Sequence, residues 1–123
     1  NKFMNFFVEW MRTCYRGQID SIIKFADEFR SFGREKQKNF FEFCSVQIRN
    51  SFYASYSERL LKYYDSEQSN FYQNFGKYLH PKNSDLIYTE LNKGVHLIER
   101  NANPKILFTD ISLKIGTFLK ISY

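Results

Sequence analysis

A chain of 123 residues has room for one domain and one modest core. Aromatic residues make up 20% of it, with 14 Phe and 9 Tyr, which is too much apolar surface to leave in water and excludes a disordered chain. The net charge is +5 without a long run of like charges of the kind a nucleic-acid-binding arm carries, and five Gly and two Pro are too few for an all-β fold built on tight turns.

In chain order, Phe3, Phe6, Phe7, Trp10, Met11 and Cys14 fall on one face of a first helix, and Gly17 is expected to end or bend it. Ile19, Ile22, Ile23, Ala26 and Phe29 repeat the pattern, with Phe25 and Phe32 widening the stripe. Gly33 is expected to close this second helix as a left-handed cap. A third, long helix follows from about Glu35 to Tyr56. It carries one stripe of Phe41, Cys44, Ile48 and Phe52 and another of Phe40, Phe43, Tyr53 and Tyr56, so it has neighbours on two sides.

Asp65 to Asn70 is a polar break in which Asp65 or Ser66 can cap a short fourth helix bearing Phe71, Tyr72, Phe75, Tyr78 and Leu79. Pro81 lacks the donor that a helix interior needs and is expected to lie in a second break. The fifth helix is then expected to open at Ser84, with Ile87, Leu91, Val95 and Ile98 buried and Gly94 on the same face, where another helix crosses closely. Asn103-Pro104 forms a helix hinge. Asn103 is a preferred N-cap, Pro104 suits the first helical position, and Leu107, Phe108, Ile111, Ile115, Phe118 and Leu119 follow. So short a connection favours antiparallel neighbours. The whole, residues 1–123, reads as a single all-α domain, a compact bundle of about five to six helices. Because it opens on Asn1, it is expected to be a fragment of a longer chain.

Signatures of chemistry are few. The two histidines, His80 and His96, and the two cysteines, Cys14 and Cys44, show no metal-ligand spacing. A Gly-rich phosphate loop and the common nucleophile motifs do not occur. No cofactor, metal or small-molecule substrate is therefore expected, and no catalysis. Two thiols on apolar faces, with no Asn-x-Ser/Thr sequon, fit reduced cysteines in a cytoplasmic protein, and no apolar run reaches membrane-spanning length.

Two stretches invite a functional reading. In "GREKQKNF", Gly33 to Phe40, the residues Arg34, Lys36 and Lys38 can grip phosphates or an acidic partner, or else simply solvate the first turns of a helix. The stripe of Phe40, Phe43, Tyr53 and Tyr56 can be plain core, a subunit contact, or a base-stacking platform, with the tyrosines better suited than the phenylalanines to a wet edge. Arg34, Lys38, Tyr53 and Tyr56 are the candidate subunit-interface residues.

"FVEWMRTCYRGQIDSIIKFADEFRSFGREKQKNFFEFC", Phe7 to Cys44, and "IERNANPKILFTDISLKI", Ile98 to Ile115, resemble the C-terminal region of the delta-prime subunits of bacterial DNA polymerase III in their Bacteroidetes-type form. The Asn-Pro-Lys hinge is also similar to that before the last helix of clamp-loader subunits in general, whereas about Glu58 to Asn83 carries no such likeness. The resemblance implies a non-catalytic collar domain, lacking its N-terminal AAA+ modules. It would hold delta-prime in the pentamer that loads the sliding clamp onto primed DNA. Its implied partners are the delta and gamma/tau subunits, with DNA touched only weakly or indirectly. The alternative is a helical nucleic-acid-binding module using the basic patch from Arg34 to Lys38, and a third reading is a self-associating structural domain.

Overall fold

The computed structural model describes residues 2–121. Six α-helices and one 3-10 helix run in the order α1 (Lys2–Arg16), α2 (Ile19–Arg30), α3 (Arg34–Ala54), the 3-10 helix (Glu58–Tyr63), α4 (Ser66–Gly76), α5 (Pro81–Glu99) and α6 (Pro104–Leu119). No strand occurs among the described residues. The all-α expectation holds.

α3 is the spine, packed against α5 along its length and against α4 near its C-terminal half, while α6 lies among α1, α2 and α5. Several neighbours are antiparallel. Lys105 of α6 pairs with Asp27 of α2 at 2.9 Å, and Phe41 of α3 meets Gly94 of α5. The α5–α6 pair folds back at Asn103-Pro104, so that Asn83 near the start of α5 reaches Phe118 near the end of α6.

The core is a stack of rings. Trp10 lies on Phe108 with centroids 4.5 Å apart, and Phe29 lies on Phe108 at 4.6 Å and on Phe41 at 4.8 Å. These four side chains come from α1, α6, α2 and α3, and all are fully buried. Each contributes roughly 1.5–3 kcal/mol by burial alone. The indole N–H of Trp10 donates to Ser112 Oγ at 2.8 Å, and that hydroxyl donates to the Phe108 carbonyl at 2.7 Å. The one polar atom of the central indole is thereby satisfied.

Three expectations are corrected. Gly33 has φ +85°, but its ψ of 159° is not helical, and it stands as the entry to α3 rather than the cap of α2, which ends at Arg30. Gln37 serves the end of α2 instead: its buried side-chain amide donates to the carbonyls of Phe29 (3.1 Å) and Arg30 (3.3 Å). Pro81 does not break the chain. It begins α5, three residues before Ser84, because a first-turn residue needs no N–H donor. Lastly, α3 ends at Ala54, so Tyr56 lies beyond it.

His80 caps α5. Its Nδ1 accepts from the Asn83 N–H at 3.4 Å while Asn83 Oδ1 accepts from the His80 N–H at 2.8 Å, which is a reciprocal capping box. The other ring nitrogen, Nε2, contacts the Ile121 carbonyl at 3.1 Å. Asn83, fully buried, also donates to the carbonyls of Tyr78 and Phe118, and so joins the ends of α4, α5 and α6. α4 opens as expected on Asp65, whose carboxylate accepts from the Gln68 N–H at 2.8 Å.

Candidate interaction surface

The hinge is built as its sequence indicates. Asn103 has extended geometry and its side chain accepts from the Ile106 N–H at 3.1 Å, with Pro104 as the first helical residue. Before it, Asn101 takes φ 65° and the Ala102 N–H reaches back to the Leu97 carbonyl at 2.9 Å, which closes α5.

The basic stretch reaches across the surface to this hinge. The Arg34 guanidinium donates to Asn101 Oδ1. Lys38 pairs with Glu35 at 3.3 Å and faces Glu99 at 3.9 Å, with its side chain only 20% exposed. Lys36 Nζ lies 4.7 Å from the centre of the Phe32 ring. The cations of "GREKQKNF" therefore clasp the start of α3 to the α5–α6 turn and to the end of α2.

Tyr53 and Tyr56 point outward, 48% and 67% exposed, against the ring of Phe52 at 5.9 Å and 5.0 Å. Tyr53 lies 19 residues after Arg34 on one helix, a separation of about 28 Å at 1.5 Å per residue. The structure thus does not bring the four candidate interface residues together. It sets Arg34 and Lys38 in a surface clasp at one end of α3, and Tyr53 and Tyr56 on the surface at the other.

That surface has depth. A groove of about 620 Å³ runs between α3 and α5, lined by Val46, Ile48, Arg49, Phe52 and Tyr53 on one side and by Ser84, Asp85, Tyr88 and Asn92 on the other. Tyr88 is 49% exposed and Val46 38%. The Ser84 hydroxyl is buried without a hydrogen-bond partner among the described residues. Arg49 and the carboxylates of Glu42 and Asp85 also line the groove. Aromatic edges, one orphan hydroxyl and mixed charges suit contact with another polypeptide. Tyr88 was not singled out in the sequence as a surface residue, although there is a signal for its exposure: a large ring one residue after the buried Ile87 falls off the core stripe.

The groups whose acidity the fold shifts most lie in the interior. Burial pushes the thiols of Cys14 and Cys44 well up, and Cys14 raises Cys44 further. Burial likewise raises the Tyr72 phenol, which donates to Gln47 Oε1 at 2.5 Å and ties α4 to α3. At the surface, the hydrogen bond from Lys105, with its charge and that of Arg30, lowers Asp27.

No cluster of three or more His, Cys, Asp or Glu that could hold a metal occurs among the described residues. No helix among them is long and apolar enough to cross a membrane. No family model matches the chain, and no curated protein or solved structure is significantly similar to it.

Proposed function

We propose that the chain is a non-catalytic assembly domain, a collar module of a delta-prime-type clamp loader in the bacterial cytoplasm, with delta and gamma/tau subunits as neighbours. The observation that carries this reading is the α3–α5 groove. Tyr53 and Tyr88 stand about half exposed beside it, in a bundle whose core already buries four stacked rings. Exposed aromatics beside a groove fit the centre of a subunit contact, where Tyr and Arg are enriched. The resemblance at both ends of the chain supplies the identity of the assembly. Against the nucleic-acid reading stand the contacts of Arg34, Lys36 and Lys38 with Asn101, the Phe32 ring and Glu99, although Arg34 and Lys36 stay exposed.

The test is a sizing-column titration of the Tyr53→Ser, Tyr88→Ser double variant against the C-terminal domains of delta and gamma/tau. Both positions are exposed, so the variant is expected to fold normally and to lose the hetero-complex formed by the unaltered domain. Unchanged complex formation would remove the groove from the interface. Salt-sensitive binding of DNA in place of either protein would favour the alternative function.

A further inference from the structure

A second surface, on the other side of α4, points to a different kind of contact. α1 and α4 run parallel: Phe7 meets Phe71 at 5.8 Å and Phe75 at 6.2 Å, and eight residues on Tyr15 meets Tyr78 at 5.3 Å. Between them lies a trough of about 760 Å³ with Val8, Met11, Phe71, Phe75 and Leu119 in its lining. Both methionines of the chain, Met4 and Met11, line it. Met4, partly exposed and unbranched, can adapt to an incoming apolar face, while Met11 is buried beneath it.

The trough is electrically polar along its length. Asp65 and Glu67 line it where α4 begins, while Arg12 and Arg16 line it toward the C-terminal end of α1, where Lys120 also stacks on Tyr15 at 5.4 Å. Glu9 also lines the trough and pairs with Arg12 at 2.8 Å, but both side chains are more than half exposed, so this is a weak surface pair.

We propose that this trough docks one amphipathic helix of another protein, acidic in its first turn and basic in its last, running antiparallel to α1 and α4. The occupant is helical because the trough extends from Met4 to Tyr15, about 16 Å at 1.5 Å per residue, and lies between two helices. That shape takes an apolar ridge at i, i+3, i+4 and i+7. Its direction follows from charge. An acidic first turn meets Arg12 and Arg16, a basic last turn meets Asp65 and Glu67, and its dipole opposes the two parallel dipoles beside it. This proposal is independent of the collar reading, because it uses a different face and no named assembly.

Fluorescence anisotropy tests it with a labelled peptide of about 15 residues, long enough to hold a helix. The peptide carries Glu in its first turn, Leu and Phe at the four ridge positions, and Lys in its last turn. A control has the same ridge and exchanged ends. The acid-first peptide is expected to bind at least roughly tenfold more tightly than the control. Asn74→Trp, at an exposed lining position, is expected to block binding while leaving the thermal melt in place. Arg12→Glu with Arg16→Glu leaves both ends of the trough acidic and is expected to abolish the preference. Equal affinity for the two peptides, no saturation, or binding untouched by Asn74→Trp would overturn the proposal. So would a concentration-dependent dimer that Asn74→Trp abolishes, since a second copy would then be the occupant.

Discussion

Asn103 and His80 each begin a helix by accepting a backbone N–H that has no partner in the helix itself. Asn103→Ala is expected to cost roughly 0.5–2 kcal/mol, read as a lower urea midpoint, whereas Pro104→Ala should cost less because alanine is tolerated at a first helical position. An unmoved midpoint in both variants would contradict the capped hinge. Asn83→Ala is a sharper case, since it leaves the Tyr78 and Phe118 carbonyls without their donor and opens the capping box. A loss of roughly 1–3 kcal/mol is expected by the same measurement. The cysteines act through pH. Their folded-state pKa values are raised by burial, so the folded chain holds its thiol protons more tightly than the unfolded chain. That stability is complete below the unfolded value near 9.0 and falls as pH rises, until the folded thiols themselves ionise. Between about pH 8 and 10 the two groups together remove roughly 3 kcal/mol. Urea melts across that range should show a markedly flatter decline for Cys14→Ala with Cys44→Ala than for the unaltered chain. At this scale the sequence was partly legible. The Asn-Pro hinge could be read because two local rules agree there. The His80 cap could not, because histidine is an unusual cap and its ring is fixed by Asn83 and by Ile121, far away in sequence.

The helices themselves follow from spacing, and where spacing misled, a tertiary contact was responsible. Pro81 reads as a breaker in isolation, yet it starts α5 because His80 and Asn83 supply the cap around it. Gly94 was read as a site of close approach, and it is one: a β-carbon there would come within 2.8 Å of the Phe41 ring and 3.0 Å of Ile111. Two other glycines allow backbone contact that periodicity cannot reveal. Gly116 on α6 lies against the Cys14 carbonyl of α1, and a β-carbon on Gly76 of α4 would lie 2.5 Å from the Ser51 carbonyl of α3. Neither carbonyl can move as a side chain can. Gly116→Ala is therefore expected to push α6 from α1 at a cost of roughly 1–3 kcal/mol or more, seen as a lower thermal midpoint. An unchanged midpoint would mean that α1 and α6 do not approach so closely. Gln37 teaches the same lesson. It is a polar residue inside a basic stretch, yet it is buried with its amide on the carbonyls at the end of α2.

At the scale of the molecule, the all-α bundle was legible because so many apolar residues recur at helical spacing, and rings in such number had to pack together. Of the four candidate residues, the sequence made the exposure of the tyrosines legible but not the contacts of the cations. Tyr53 and Tyr56 stand outside as a wet-edged aromatic pair should, while Arg34 and Lys38 are drawn to Asn101 and Glu99 across the α5–α6 turn. One-dimensional charge counting cannot see a partner that is distant in sequence. It also cannot see that Tyr88 lines a groove, because that groove exists only once α3 and α5 lie side by side. The most direct test of an assembly role is light scattering on a sizing column, with the domain alone and then mixed with the C-terminal domains of delta and gamma/tau from the same organism. An assembly domain predicts a monomer alone that shifts into a defined hetero-complex at micromolar concentration. A monomer that stays a monomer in the mixture, with no shift at any ratio of the three, would contradict it.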